Sequence, residues 1–219
     1  MSRSRVLGLI PARGGSKRLP GKNLMKLHGR SLLQRAIDAG HEARGINRLI
    51  VSTDDPAIAE AARAGGAEVP FLRPAELATD EASSLDVVRH AMEWADQDEP
   101  GAFSHLVLLQ PTSPLRTAQD IDQTLALCLE RGCSTAISVA PAPKADLLMI
   151  GENGMLAPAS AFGKPVILNG AVYVVDWRHI TVGGGFIAPD TAYYLMDEHR
   201  SVDVDLSEDL ERAASGLKS

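Results

Sequence analysis

The 219-residue chain carries 28 acidic and 22 basic side chains, a net charge of −6, and 45% hydrophobic residues. That balance suits a globular fold with one domain spanning residues 1–219 and a sizeable core. It excludes a general nucleic-acid binder, because no basic stripe is interleaved with aromatics. No apolar window approaches a membrane-spanning length, and the patch after the first basic residues is too short for a secretory leader, so a cytoplasmic setting with no membrane partner is expected. Cys128 and Cys133 fit no metal spacing and read as reduced structural thiols.

In chain order, short β-like runs alternate with helical ones. Residues 6–10 read as a strand, and 31–43 as a helix with Leu32, Leu33, Ala36, Ile37 and Gly40 on one stripe. Then come a strand at 49–52, a helix at 56–64 closed by Gly65 and Gly66, and a strand at 67–71. A helix at 84–96, a strand at 105–110, a helix at 118–131 and a strand at 135–140 follow. From 141 to 168 the periodicity dissolves into Pro, Gly and Ala, which predicts an excursion from the sheet, a small lobe or dimer arm. Strands at 171–175 and 193–196 and a helix at 208–214 complete the chain. The order implies an α/β fold with a mainly parallel sheet flanked by helices. Such sheets bind ligands beyond the carboxyl ends of their strands.

The first such crossing is "LIPARGGSKRLPGKNL", residues 9–24. It lacks the G-x-G-x-x-G dinucleotide spacing. As a P-loop it also fails, because Gly15 and Gly21 are one residue too far apart and Asn23 replaces the metal-binding hydroxyl. Its parts still suit a phosphate cradle: the amides of Gly14, Gly15 and Ser16 can converge on an anion, and Arg13, Lys17 and Lys22 supply charge.

At the other end, "SVDVDLSEDLERA" alternates Asp203 and Asp205 with Val202 and Val204. In an extended segment both carboxylates then project to one face, where two hard oxygen ligands make a natural Mg²⁺ site completed by phosphate oxygens and water. Ser207 reads as a helix cap, with Glu208 and Asp209 in the first turn. Between the ends, Arg73 and the pair Ser83 and Ser84 follow a strand and could address a base, although Ser84 could equally be a cap. Gln110, Thr112, Ser113 and Arg116 follow another strand. The six histidines, His28, His41, His90, His105, His179 and His199, are scattered, and none is placed as a general base.

Together, "IPARGGSKRLPGKNL", "VSTDD", "LRPAELATDEASS", "LLQPTSPLR", "NGAVYVVD", "FIAPDTAYYLM" and "SVDVDLSEDLERA" resemble the acylneuraminate cytidylyltransferases, the CMP-sialic acid synthetase family. The match runs in order over nearly the whole chain. The resemblance implies a nucleotidyltransferase α/β fold and a homodimer. It also implies Mg²⁺ as cofactor, CTP and a nine-carbon 2-keto acid sugar as substrates, and CMP-sugar and pyrophosphate as products. Carried over by position, Arg13, the amides of Gly14, Gly15 and Ser16, and Lys17 hold the CTP phosphates, with Lys22 against the α-phosphate. Asn23, Arg73, Ala82 and Ser84 hold ribose and cytosine. Gln110, Asn169 and Phe186 face the sugar, and Asp203 and Asp205 bind the metal.

Two departures from the family pattern concern the sugar. Members using N-acetylneuraminate commonly carry a longer arm ending R-P-N-G-A, whereas this chain reads "AFGKPVILNGAVY", with Ile167 and Leu168 where a cation is expected. Lys144 and Lys164 are left as candidates for the sugar carboxylate. One of a pair of aromatics is also replaced, putting Gly185 beside Phe186. These changes predict a more open pocket that accepts a legionaminate-type or pseudaminate-type sugar. The Kdo cytidylyltransferases, a related class, share R-L-P-G-K but show Q-G-D-E-P where this chain has "LQPTSPLR".

Overall fold

Five consecutive buried residues, from Val6 to Ile10, place the strand β1 (Arg5–Pro11) in the interior of the sheet rather than at an edge. The computed structural model describes residues 5–142, 148–150, 156–158 and 164–217. After β1 come the hairpin strands β2 (Lys26–Leu27) and β3 (Arg30–Ser31), then α1 (Leu32–Glu42), β4 (Arg48–Ser52), α2 (Pro56–Ala64), α3 (Ser84–Asp98), β5 (Phe103–Leu108), α4 (Ala118–Arg131) and β6 (Thr135–Pro141). The chain continues with β7 (Leu148–Ile150), β8 (Leu156–Pro158), β9 (Val166–Asp176), α5 (Trp177–Thr181), β10 (Ala192–Leu195) and α6 (Ser207–Gly216).

Six strands form the main sheet in the order β10-β6-β9-β5-β1-β4. All neighbours run parallel except β9, which is antiparallel to both β5 and β6. One face packs α1, α2 and α4 through Leu33, Ile37, Ile58, Ile121 and Leu125; the other packs α3 and α5 through Val88, Met92, Trp177 and Ile180. A smaller cluster of Leu27, Leu32, Leu115, Val202, Val204 and Ala213 seats α6 beside the β2–β3 hairpin. The helices start where the sequence supplies acceptors: Ser31 accepts from the Gln34 amide, Asp55 from Ala57 and Ile58, and Thr117 exchanges bonds with Asp120 in a capping box.

Three elements differ from expectation. The strand predicted at 67–71 makes only isolated parallel bridges, Ile50 to Glu68 and Thr53 to Leu72, because Pro70 has no N–H to give a ladder. Strand β9 begins five residues before the predicted 171. Asn169-Gly170 reads as a turn, but here Gly170 takes a φ of +71° inside the strand, where the pairing register with β6 slips. Helix α5, absent from the sequence reading, is a single short segment capped by Asp176 on the His179 amide. Within the predicted 141–168 excursion, β7 and β8 pair antiparallel as a separate two-stranded sheet.

Candidate active site

The carboxyl ends of β1 and β5 open onto a cleft of about 390 Å³. Arg13, Lys22, Asn23, Arg73, Ala82, Ser84, Gln110, Asp203 and Asp205 all line it, although they come from four separate stretches of sequence. Arg18, Thr79, Asp80 and Thr112 line it as well.

The opening loop is stitched to itself and to the next crossing. The buried Asn23 side chain donates from Nδ2 to the Arg13 carbonyl at 2.9 Å, which fixes the start of the loop to its end. Gly21 has a φ of +68°, a left-handed conformation that glycine adopts without strain, and it turns the chain into the 3-10 turn Lys22–Leu24. Of the three amides expected to face an anion, that of Gly14 instead donates to Asp54 Oδ1 at 3.0 Å, and that of Ser16 to the Gly14 carbonyl at 3.0 Å. Among the described residues Gly15 keeps an amide with no protein acceptor. The close approach explains the glycine: a Cβ on Gly14 would sit 2.6 Å from Asp55 Oδ2. Neither these three residues nor Lys17 line the cleft itself, so its positive wall is made of side chains.

The loop's cations, the three in that wall and Lys17 beside it, each have a carboxylate partner. Lys22 Nζ, with its side chain only 14% exposed, lies 2.9 Å from Asp205 Oδ1, and Arg18 Nη1 lies 2.7 Å from Asp205 Oδ2. Arg13 and Lys17 both reach Asp80. Arg18 and Asp80 escaped the sequence reading; Arg18 was one cation among several in a basic run, and no local pattern marks Asp80.

The strap of residues 72–84 hangs from Arg73. Its buried guanidinium donates to the Ser52 hydroxyl at 3.0 Å, to the Ser52 carbonyl, and to the Leu77 carbonyl at 3.4 Å. Burial pushes its pKa down to about 10, which Asp54 opposes and Arg13 reinforces, so it stays charged at neutral pH. Arg73 therefore holds the strap as well as lining the cleft. Ser83, not Ser84, caps α3 by accepting from the Asp86 amide at 3.1 Å. The Ser84 hydroxyl is left to the cleft.

The carboxylate wall forms as the alternation predicts. Val202 and Val204 are buried, while Asp203 and Asp205 face the cleft; the segment is extended but joins no sheet, and the Val204 amide is tied to the Thr112 carbonyl at 2.7 Å. Desolvation within the cleft raises the Asp203 pKa, Asp205 and Asp209 add to this, and Lys22 opposes it. Ser207 does not cap α6. Asp209 does so instead, accepting from the amides of Asp205 and Leu206 at 3.0 and 2.9 Å, which orients Asp205. The donor set fits Mg²⁺ in one respect: two hard carboxylates flank a cleft with room for phosphate oxygens. Among the described residues no group of three His, Cys, Asp or Glu side chains forms a metal site without a ligand's help.

Residues assigned to the sugar are dispersed. Gln110 lines the cleft, and its carbonyl is held at 3.0 Å by Arg116, whose guanidinium also reaches the Ala171 carbonyl at 2.8 Å. Asn169 is 3% exposed and faces no cavity: its Oδ1 accepts from Ser138 and the Ala171 amide, and its Nδ2 donates to Ser201 and Met196. It builds the β9 bulge that carries Gly170 past Asp203. Phe186 packs on Tyr173 at 5.1 Å between centroids, outside the cleft lining. Lys164 is exposed and also outside it. Lys144 lies outside the described residues.

With this geometry in place, comparison with known proteins is decisive. The cytidylyltransferase family model matches residues 7–146. The chain belongs to the cytidylyltransferase family. One relative, the CMP-N,N'-diacetyllegionaminic acid synthase of Legionella pneumophila, is 33% identical over 92% of this chain and 91% of its own length. The N-acylneuraminate cytidylyltransferase of Escherichia coli is 30% identical over 96% of this chain; the chain spans about half of that protein, 52%. A solved CMP:2-keto-3-deoxy-manno-octonic acid synthetase, in complex with CTP, superimposes with a TM-score of 0.74 at 18% identity, covering 98% of this chain and 99% of that one. The last likeness fixes the cytidylyltransferase fold. No helix among the described residues is long and apolar enough to cross a membrane.

Proposed function

We propose that this cytidylyltransferase activates a nonulosonic acid, a nine-carbon 2-keto acid sugar, with CTP to give the CMP-sugar and pyrophosphate. The observation that carries the reading is the cleft itself: cations Arg13, Arg18 and Lys22 on one wall face carboxylates Asp203 and Asp205 on the other, with a polar strap alongside. The substrate class comes from the relatives, one named for N-acylneuraminate and one for diacetyllegionaminic acid. The sugar's anomeric hydroxyl attacks the α-phosphorus in line. A new P–O bond forms, the bond to the β-phosphate oxygen breaks, the hydroxyl loses its proton and pyrophosphate leaves.

The residues of this chain act mainly by placement and charge. Lys22 and Arg18, now paired with Asp205, turn to the α-phosphate, where negative charge concentrates. Arg13 and Lys17 hold the β- and γ-phosphates. Ser84 and Ala82 receive the base from the strap that Arg73 anchors, and Gln110 meets the sugar. Asp203 and Asp205 hold Mg²⁺, which when bound neutralises phosphate charge and organises the nucleotide. No histidine lines the cleft.

The reading includes a homodimer joined through the 141–168 arm, supported by the exposed Val166, Ile167 and Leu168 at its root. It also includes a cytoplasmic setting, supported by two buried free thiols, Cys128 and Cys133. The test is pyrophosphate release from CTP and Mg²⁺ with N-acetylneuraminate, a legionaminate, a pseudaminate or Kdo. Turnover with a nine-carbon acid above Kdo is expected. Preference for Kdo would refute the substrate class, and CTP binding without turnover on any sugar would favour a non-catalytic nucleotide-binding module.

A further inference from the structure

The phosphate wall carries its own anion. Arg13 Nη2 lies 2.5 Å from one carboxylate oxygen of Asp80, and Lys17 Nζ lies 2.6 Å from the other. One acidic group bridging two cations through separate oxygens is the contact pattern a phosphate group makes with the same pair. Asp80 sits on the exposed part of the strap, between the 3-10 turn Ala75–Leu77 and α3. Arg13 also donates to the Ala78 carbonyl at 3.4 Å, but the strap keeps a separate anchor in Arg73, which ties it to Ser52, and the Ala82 amide braces it from within by donating to the Thr79 hydroxyl at 3.2 Å. Asp80 can therefore release its cations while the strap stays anchored.

We propose that Asp80 is a built-in competitor for the phosphate site: it yields Arg13 and Lys17 to incoming CTP and takes them back from departing pyrophosphate. The proposal rests on the reading that these two cations hold the β- and γ-phosphates. An acid tethered beside its partners has a high effective concentration, so it competes at all times. Intact CTP prevails because its base and α-phosphate add contacts elsewhere in the cleft. Pyrophosphate, once cut from the nucleotide, loses those contacts and meets Asp80 with the phosphate wall alone. Asp80 thus costs a little CTP affinity and hastens product departure, a role distinct from a metal ligand or a positioning acid, either of which would strengthen nucleotide binding.

The test compares wild type, Asp80→Asn, Asp80→Ala and Asp80→Glu in two measurements: CTP affinity by titration calorimetry, and the inhibition constant of pyrophosphate against CTP in turnover. Both neutral variants should bind CTP and pyrophosphate about three-fold more tightly, as expected for losing a solvent-exposed competitor. The gain should be the same factor for both ligands, because each must free the same two cations, should shrink at high salt, and should be absent in Asp80→Glu. Weaker binding in the neutral variants, or unchanged constants, would overturn the proposal. Arg13→Ala separates the two levels: if it weakens CTP while the Asp80 variants change nothing, only the competitor role falls. If it leaves CTP and pyrophosphate affinity untouched, the phosphate reading falls as well.

Discussion

The end of the cleft proposed for the nucleotide and the residues proposed for the sugar are built in different ways. At the end proposed for the nucleotide the chemistry sits on the loops after β1 and β5 and on the strap of residues 72–84, and each is pinned by a buried polar side chain: Asn23 on the Arg13 carbonyl, Arg73 on Ser52, Arg116 on the Gln110 carbonyl. At the sugar end the expected residues scatter into a buried bulge (Asn169), an aromatic pair (Phe186 with Tyr173) and an exposed arm root (Lys164). A loop that follows a strand is placed by the sheet, whereas an excursion from the sheet is placed by whatever it packs against. The first end is thereby specified within this chain's own sheet, and the second leaves room for a change of sugar.

The sharpest way to break this contrast is at the carboxylate wall. Asp203→Asn and Asp205→Asn should each lower turnover by at least about 10²-fold, given the several kcal/mol a catalytic metal contributes, with an unchanged circular dichroism spectrum. Near-normal activity at low Mg²⁺ in either variant would remove the metal assignment. Next, Lys22→Ala should reduce kcat by about 10²-fold, as for the loss of one preorganised donor to developing charge, with little change in CTP affinity. Arg13→Ala should instead raise the KM for CTP about ten-fold, the scale of one charged hydrogen bond. A Lys22 variant altered only in KM would merge the two roles.

Asn169→Ala asks whether the sugar end contains structure in place of a ligand contact. Taking the Asn169 acceptor from the buried Ala171 amide, and one of its partners from Ser138, should destabilise the fold by about 1–3 kcal/mol, read as a lowered Tm. An unchanged Tm with a raised sugar KM would return Asn169 to the ligand. The smallest effect expected is at Asp209. Backbone donors from Asp205 and Leu206 and the nearby Arg212 and Lys22 outweigh desolvation and hold its carboxyl below the ordinary range. A depressed folded pKa stabilises above the unfolded value and is lost as pH falls through the folded one. Asp209→Asn should thus lower Tm at neutral pH by about 2 °C, the scale of one helix cap, and the difference should shrink as the pH falls below the ordinary carboxylate range.

Much of the sheet was legible because its strands are continuous apolar runs, and because signals such as Gly65 and Gly66 closing the helix at 56–64 mark where helices stop. The nine cleft residues were legible on different grounds: Arg13, Lys22 and Gln110 lie in loops that begin where strands stop, Asp203 and Asp205 alternate with buried valines, and Asn23, Arg73, Ala82 and Ser84 were marked by the resemblance. The misses have physical causes. Pro70 denies residues 67–71 a ladder, and Asn169-Gly170 looks like a turn although Ser138 and Ser201 hold it in β9. Gly14 was expected to offer its amide to an anion, but Asp54 takes it, a partner forty residues away that no local pattern reveals. Asp80 and Arg18 were hidden because an acid or a base in a polar loop gains meaning only from what the fold sets opposite it.

The most direct test is a crystal structure of the chain with CTP and Mg²⁺. The account places the triphosphate in the 390 Å³ cleft, with the α-phosphate within hydrogen-bond reach of Lys22, the outer phosphates on Arg13 and Lys17, and the metal on Asp203 and Asp205. A triphosphate seated elsewhere, for instance in the larger 620 Å³ hollow beside Ile167, His199 and Arg212, would contradict it.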